Sequence, residues 1–262
     1  MRILITNDDG FDSNGIAALV KELCSDNEIY VSAPAEQQSG KAHSISFFQD
    51  IEGQKAEYQG TVQAWKIWGS PADCAYVGAL TIMDEKPDLL ISGINAGPNL
   101  GLDDLYSGTI GAASEGIILG IPSIAVSLDS YKSTEIKDYE AAAKTVRNLI
   151  PGYLSDPECS QYVLSVNVPF IPLSQMKGYR ITRFDSRRAY QRDLVMIDQD
   201  NGRTLFHSKS FSCSAEGERK EDDGDIAAVE DGYVSLTPVG LDLVDYSRCR
   251  HIEKWLSDIR LG

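Results

Sequence analysis

Apolar residues in the first half of the chain fall into two alternating arrangements. Short unbroken runs occur at Ile3-Leu4-Ile5, Ile29-Tyr30-Val31, Leu89-Leu90-Ile91 and Ile124-Ala125-Val126. Such runs suit strands covered on both faces, as in a parallel sheet. Between them, apolar positions recur at helical spacing, for example Ile16, Leu19, Val20 and Leu23. Residues 61–68 and 162–168 read as further strands, and residues 72–83, 111–116 and 135–150 as helices. Strand and helix in alternation predict repeated βαβ units. The expected fold class is therefore α/β, with a Rossmann-like, doubly wound and mostly parallel sheet.

The second half changes character. Over 185–225, charged and aromatic residues such as Arg187-Arg188-Ala189-Tyr190 alternate, and Asp200-Asn201-Gly202 reads as a turn. This predicts a C-terminal β-hairpin arm followed by a mobile acidic segment over 216–225. A two-stranded arm cannot bury its own faces, so it packs back on the sheet or exchanges with a second subunit. Residues 232–238 return to strand, and 252–261 predict a terminal amphipathic helix. The expected organisation is a core over 1–184, a hairpin arm over 185–225, and a strand and helix over 226–262 that complete the core and subunit contacts.

Composition narrows the possible partners. A chain of 262 residues suits one large α/β domain with an appendage. The net charge of -15 argues against nucleic acid polymers and anionic membrane surfaces, which require a basic footprint. It leaves room for a small anion held through a metal. No apolar run is long enough to span a bilayer, and the beginning of the chain lacks the basic-then-apolar layout of a leader, so a cytoplasmic protein is expected. The 5 cysteines are odd in number, widely spaced and without a CxxC pair. Reduced thiols are expected, with neither a disulfide frame nor a zinc site.

Candidate chemistry begins at Asn7-Asp8-Asp9-Gly10, where an apolar strand ends in two adjacent carboxylates. Taken alone these residues are equally a tight turn or the beginning of a cation site. Three other loops bear on the choice. They are Ser39-Gly40; Ser92-Gly93-Ile94-Asn95 continuing through Asn99-Leu100-Gly101; and Tyr106-Ser107-Gly108-Thr109 at the start of a small-residue helix. All four are expected to follow strands lying side by side, and so to open at one sheet edge. Asp8, Asp9, Ser39 and Asn95 together supply the oxygen ligands that Mg²⁺ or Mn²⁺ prefers. Amides at Ser107, Gly108 and Thr109 ahead of a helix suit an anion. Asn7, Gly40 and Asn99 lie in the same loops and are added as candidate phosphate contacts. Carboxylates and an anion nest at one edge call for a cation between them.

At these blocks the chain resembles the SurE survival-protein family, the metal-dependent 5'/3'-nucleotidases. The resemblance rests on Ile3-Leu4-Ile5-Thr6-Asn7-Asp8-Asp9-Gly10, on Gln38-Ser39-Gly40 with Ser44-Ile45-Ser46, and on Gly69-Ser70-Pro71-Ala72-Asp73-Cys74. Its longest stretch runs from Pro87-Asp88 through Ser92-Gly93-Ile94-Asn95 and Tyr106-Ser107-Gly108-Thr109 to Glu115-Gly116, and it resumes at Asp225-Ile226-Ala227-Ala228-Val229. It implies one divalent metal per subunit at the positions matching Asp8, Asp9, Ser39 and Asn95. It also implies hydrolysis of nucleoside monophosphates, with short polyphosphate a further candidate, and homodimers or homotetramers that exchange C-terminal segments. Two departures stand out: Ser70 and Gly224 occupy positions where the family commonly has Thr, and only Ser70 keeps the hydroxyl.

The expected chemistry is attack on phosphorus by a metal-bound water, with Asp8 or Asp9 accepting its proton. An aspartyl-phosphate intermediate usually accompanies a DxD spacing, which adjacent carboxylates do not provide. His43 lies near the second loop, but the resemblance assigns it no role. Two competing readings remain: a nucleotide-binding regulatory module without turnover, and an NAD-dependent oxidoreductase. The latter lacks a GxGxxG at its first helix.

Overall fold

The computed structural model describes residues 1–187, 191–199, 201–212, 223–256 and 259. In chain order its elements are β1 (Arg2–Thr6), α1 (Asn14–Leu23), β2 (Glu28–Pro34), β3 (Glu52–Ala56), β4 (Gln63–Trp68), α2 (Pro71–Val77), β5 (Leu89–Ala96) and α3 (Gly108–Ile118). They continue as β6 (Ser123–Asp129), α4 (Glu140–Ser155), β7 (Tyr162–Pro169), β8 (Tyr179–Ile181), β9 (Gln191–Asp198), β10 (Thr204–Ser212), α5 (Asp225–Glu230), β11 (Val234–Gly240) and α6 (Tyr246–Leu256).

A nine-stranded sheet runs β3-β4-β2-β1-β5-β6-β7-β11-β8. The six strands from β4 to β7 are parallel, whereas β3 and β11 run antiparallel to their neighbours β4 and β7. From β1 the chain builds outward through β2 to β4, then returns to place β5, β6 and β7 on β1's other side. The order therefore reverses between β1 and β5, where such sheets open a ligand crevice. Alternation along β1 explains its unbroken apolar run. Ile3 and Ile5 pack with residues of α1 and α4 on one face, while Leu4 packs with residues of α2 and α3 on the other. The doubly wound sheet expected from the sequence is thus present.

Several elements differ from the expectation. Strand β5 does not stop at Ser92: it passes an irregularity and pairs Asn95 and Ala96 with Ser127 and Leu128. Strand β3, Glu-Gly-Gln-Lys-Ala, is an exposed edge with no apolar alternation to reveal it. Helix α2 ends at Val77 and continues as a π turn over Gly78–Ile82, and α4 begins after a 3-10 turn over Ile136–Tyr139.

The arm is a hairpin, β9 paired with β10 and, among the described residues, with no other strand. Arg188, Ala189, Tyr190 and Asp200 lie outside the described residues, as do residues 216–222 of the acidic segment. Asp225, read as the end of that segment, is instead fully buried at the start of α5. The terminal helix begins earlier than expected, at Tyr246, and over Tyr246–Leu256 its residues bury nothing, while 257, 258, 260 and 261 of the expected span lie outside the described residues. Cys24, Cys74, Cys159 and Cys249 are free thiols, and Cys213 lies outside the described residues. No helix among the described residues is long and apolar enough to cross a membrane.

Candidate active site

The candidate residues gather at the carboxyl ends of β1, β2 and β5, which are adjacent strands. The fourth loop does not follow a strand of its own. It is the far end of the connection from β5 to α3, which doubles back over β1.

The Asp8–Asp9 corner is shaped by its neighbours. Asn7 Nδ2 donates to Gly10 O at 3.0 Å and to Ser13 Oγ at 2.8 Å, while its Oδ1 accepts from Gly10 N at 3.2 Å. Gly10 takes φ +104, a conformation that a side chain would strain. Asn7 is fully buried and spends its amide on this turn. In this structure it builds the corner that presents the carboxylates.

Each of the other loops is bonded to that corner. Gln38 N, beside Ser39, donates to Asp8 O at 2.7 Å. Ala96 N, beside Asn95, donates to Asp9 Oδ2 at 2.8 Å. Thr109 Oγ1 donates to Asp8 Oδ1 at 2.6 Å, and the Gly108 amide also donates to the Asp8 carboxylate. The tips of β1, β2, β5 and α3 are thereby locked around two acidic side chains.

The remaining candidates divide between this corner and the protein interior. Asn95 Nδ2 donates to Gly97 O at 2.8 Å, and its Oδ1 has no hydrogen bond among the described residues. Ser39 is exposed and accepts from Gln37 Nε2 at 3.1 Å; Gly40 beside it is exposed at φ +76. Ser107 caps α3 by accepting from Ile110 N at 3.1 Å, and its own N–H donates to Asp104 O. The Ser107 and Gly108 amides are thus engaged rather than free, a difference from the open nest expected. Asn99 is engaged with the neighbouring strands. Its Nδ2 donates to Ser127 Oγ at 2.7 Å, and its backbone N and O both bond the Asn167 side chain. It anchors the loop to β6 and β7.

Electrostatics mark the corner as unfinished. Burial, and then the adjacent charge of Asp9, push the Asp8 carboxyl up to about 6. Burial also raises Asp9. No cationic side chain among the described residues offsets either carboxylate. Two carboxylates, a spare amide oxygen and a hydroxyl form an all-oxygen donor set, which fits a hard divalent cation. The described residues hold no cluster of three His, Cys, Asp or Glu side chains, so a cation here depends on the amide and hydroxyl as well.

A pH dependence follows. Folded Asp8 holds its proton to about pH 6, whereas unfolded it releases it near the ordinary 3.8. Its stabilising contribution is full below the lower value and is lost as pH rises through the upper one. The loss is on the order of 2–3 kcal/mol. Asp9, Asp104, Asp129 and Asp225 are shifted upward too and act in the same direction. Carboxyls shifted downward, such as Asp26, Asp88 and Asp185, titrate below this window. In chelator, the melting temperature should fall between about pH 5 and about pH 7, and added Mn²⁺ should raise it more at the higher pH. A melting temperature that climbs over that range in chelator would contradict this electrostatic account.

Two braces escaped the sequence reading. Asp73 accepts from Ser46 N at 2.8 Å, Ser46 Oγ at 2.9 Å and Ser70 N at 2.9 Å, which ties residues 44–46 to α2. The capping-box spacing of Ser70 and Asp73 was a signal for part of it. The second is His43 Nε2 against Glu115 Oε2 at 2.9 Å, a pair 72 residues apart that no local pattern reveals. Gly224 caps α5 without a side-chain bond, and a Cβ there would meet Asp185 Oδ2 at 2.9 Å.

The class defined by this fold and crevice is that of doubly wound α/β proteins with an acidic, oxygen-donor site at the switch point of the sheet. Comparison with known proteins places the chain within it. The profile of the family described as Survival protein SurE matches residues 3–191, and the chain belongs to that family. The 5'-nucleotidase SurE of Syntrophomonas wolfei is 40% identical over 257 residues, covering 98% of this chain and 95% of the relative. The 5'/3'-nucleotidase SurE of Escherichia fergusonii is 38% identical over 265 residues, covering 100% and 99%. Among solved structures, the SurE protein from Aquifex aeolicus superposes with a TM-score of 0.81 at 36% identity, covering 98% of this chain and 100% of that one.

Proposed function

We propose that this chain is a divalent-cation-dependent phosphomonoesterase that hydrolyses nucleoside 5'- and 3'-monophosphates to nucleoside and phosphate. The observation that carries the reading is the Asp8–Asp9 pair, Asp8 buried and Asp9 half-buried, with no cationic side chain among the described residues to offset them yet bonded to every loop of the crevice. The relatives' names supply the substrate class.

Asp8, Asp9, Asn95 and Ser39 are the residues that would hold Mg²⁺ or Mn²⁺, one ion per subunit; such an ion offsets phosphate charge and acidifies a bound water. Thr109 and Gly108 fix the Asp8 carboxylate by two donated bonds, so its orientation is set before substrate arrives. Asp9 has one oxygen on the Ala96 amide and the other, Oδ1, without a hydrogen bond among the described residues, which suits it to take a proton from the attacking water. The N-terminus of α3, capped by Ser107, would offer its dipole to a phosphate bound beside Asp8. The hairpin of β9 and β10 leaves Leu194, Met196 and Phe206 exposed, which suits contact with a second copy. Free thiols and net acidity suit the cytoplasm.

Phosphate release from AMP and GMP, measured with Mn²⁺ or Mg²⁺ and again with EDTA, tests the reading. Release that stops on chelation is expected. Nucleotide that binds and stays intact would identify a regulatory module instead, and release that survives chelation would remove the cation from the chemistry.

A further inference from the structure

The loop between β2 and β3 carries Ser39 and is fastened by bonds to other parts of the chain. Gln38 N donates to Asp8 O at 2.7 Å on one side of Ser39, and Ala42 N donates to Tyr106 O at 3.1 Å on the other. Further on, Ser70 Oγ donates to Ser44 O at 2.5 Å, and Ser46 bonds Asp73 through its N and Oγ. Ser39 itself is exposed, and its hydroxyl accepts from Gln37 Nε2 within the same loop. Its place beside Asp8 and Asp9 is therefore set by where the loop is held.

Ala42 is strained. Among the described residues it is the one non-glycine residue with a positive φ, +52. A Cβ makes this left-handed conformation unfavourable, so neighbouring contacts must impose it. Relaxation at Ala42 would swing Ser39, three residues earlier, relative to the chain that follows. Two residues of α3, four apart and so on one face, keep the turn in place. Gly111 lets the chain cross the helix closely: a Cβ there would lie 2.3 Å from Ala42 O and 2.9 Å from His43 Cα. One turn along, Glu115 Oε2 meets His43 Nε2 at 2.9 Å. The Glu115 side chain is only 6% exposed, and His43 is its one side-chain partner among the described residues. Because a buried carboxylate without a partner is costly, the pair holds His43, and Ala42 before it, against the helix. The first turn of the same helix fixes Asp8 through Thr109 and Gly108.

We infer that His43 is a positioning residue: its bond to Glu115 latches the strained Ala42 turn onto α3 and so sets Ser39 in place for the cation. The ring acts through the loop and not on the substrate. The inference rests on the cation site proposed above and adds what holds its most exposed ligand.

The test titrates Mn²⁺ into metal-free wild type, His43→Ala, Glu115→Ala and the double variant His43→Ala with Ala42→Gly, followed by electron paramagnetic resonance. Breaking the latch from either side should weaken Mn²⁺ binding about tenfold, the scale of one hydrogen bond to a charged group. Glycine adopts the +52 conformation without strain, so Ala42→Gly should recover most of the affinity that His43→Ala loses. Thermal melts in EDTA on the same proteins establish that each is folded. Unaltered affinity in His43→Ala and Glu115→Ala overturns the inference. A loss that Ala42→Gly does not recover also overturns it, and gives the ring a direct part at the cation or the substrate. Wild type that binds no Mn²⁺ fails the cation reading itself and the latch with it, whereas wild-type binding that is unaltered in the two single variants defeats the latch alone.

Discussion

Asp9→Asn should lower phosphate release from AMP by roughly 10³-fold while leaving the metal-free protein at least as stable as wild type. Both effects have one origin. Burial raises the proton affinity of Asp9, and its charge is among the causes that raise Asp8, so the pair is destabilising when nothing positive lies between. Asparagine removes one charge but keeps an oxygen to accept the Ala96 amide. The fold thus keeps its hydrogen bond and sheds a repulsion, while the cation loses a ligand and the water a base. Asp8→Asn should behave alike, because an amide oxygen still accepts from Thr109. Steady-state kinetics with Mn²⁺ and thermal melts in EDTA check the two halves separately. A variant that loses stability and activity together would show that the pair is structural and would contradict the site.

Gly108→Ala is expected to lower kcat/KM by about a hundredfold with no change in charge. A Cβ at this position would lie 2.8 Å from Asp8 Cβ, 3.0 Å from Pro71 Cγ and 3.1 Å from Asp8 Oδ2. The first distance is shorter than real side chains tolerate, so either Asp8 or the first turn of α3 must move. Asp8 is held by the same turn through Thr109 and the Gly108 amide, which leaves no adjustment that keeps its geometry. Overpacking of this kind also costs about 1–3 kcal/mol in unfolding free energy. Gly152→Ala is the control, since a Cβ in that helical position meets nothing within 4 Å. Turnover in Gly108→Ala that matched the control would mean that the close approach of α3 to Asp8 has no part in function.

The sequence displays the sheet more plainly than the site because burial on two faces writes itself as consecutive apolar residues. Ile3-Leu4-Ile5 serves both layers of helices, and no other arrangement explains the run so simply. Strand β3 carries no such mark, because its residues are mostly exposed and polar. Gly93 reads as the end of a strand, yet β5 resumes beyond it and carries Asn95 on regular backbone.

Among the candidate residues, Asp8 and Asp9 stand out in the sequence because adjacent carboxylates after a buried strand have few structural uses. Asn7 and Asn99 are ambiguous in the sequence for a physical reason. A side-chain amide in a loop has the same appearance whether it faces a ligand or satisfies its own backbone, and here both satisfy the protein. Asp225 misleads in the opposite sense, since its acidic neighbours suggest solvent while its carboxylate accepts from the amides of Gly101, Asp185 and Ile226. Contacts such as Thr109 to Asp8 span 101 residues and exist only once α3 folds back over β1.

Titration of the metal-free protein with Mn²⁺, followed by the loss of the free-ion electron paramagnetic resonance signal, tests the crevice most directly. One ion per chain is predicted for wild type, with binding lost in Asp9→Asn and in Asp8→Asn. Wild-type binding that persists unchanged in both variants would place the cation elsewhere and contradict the account.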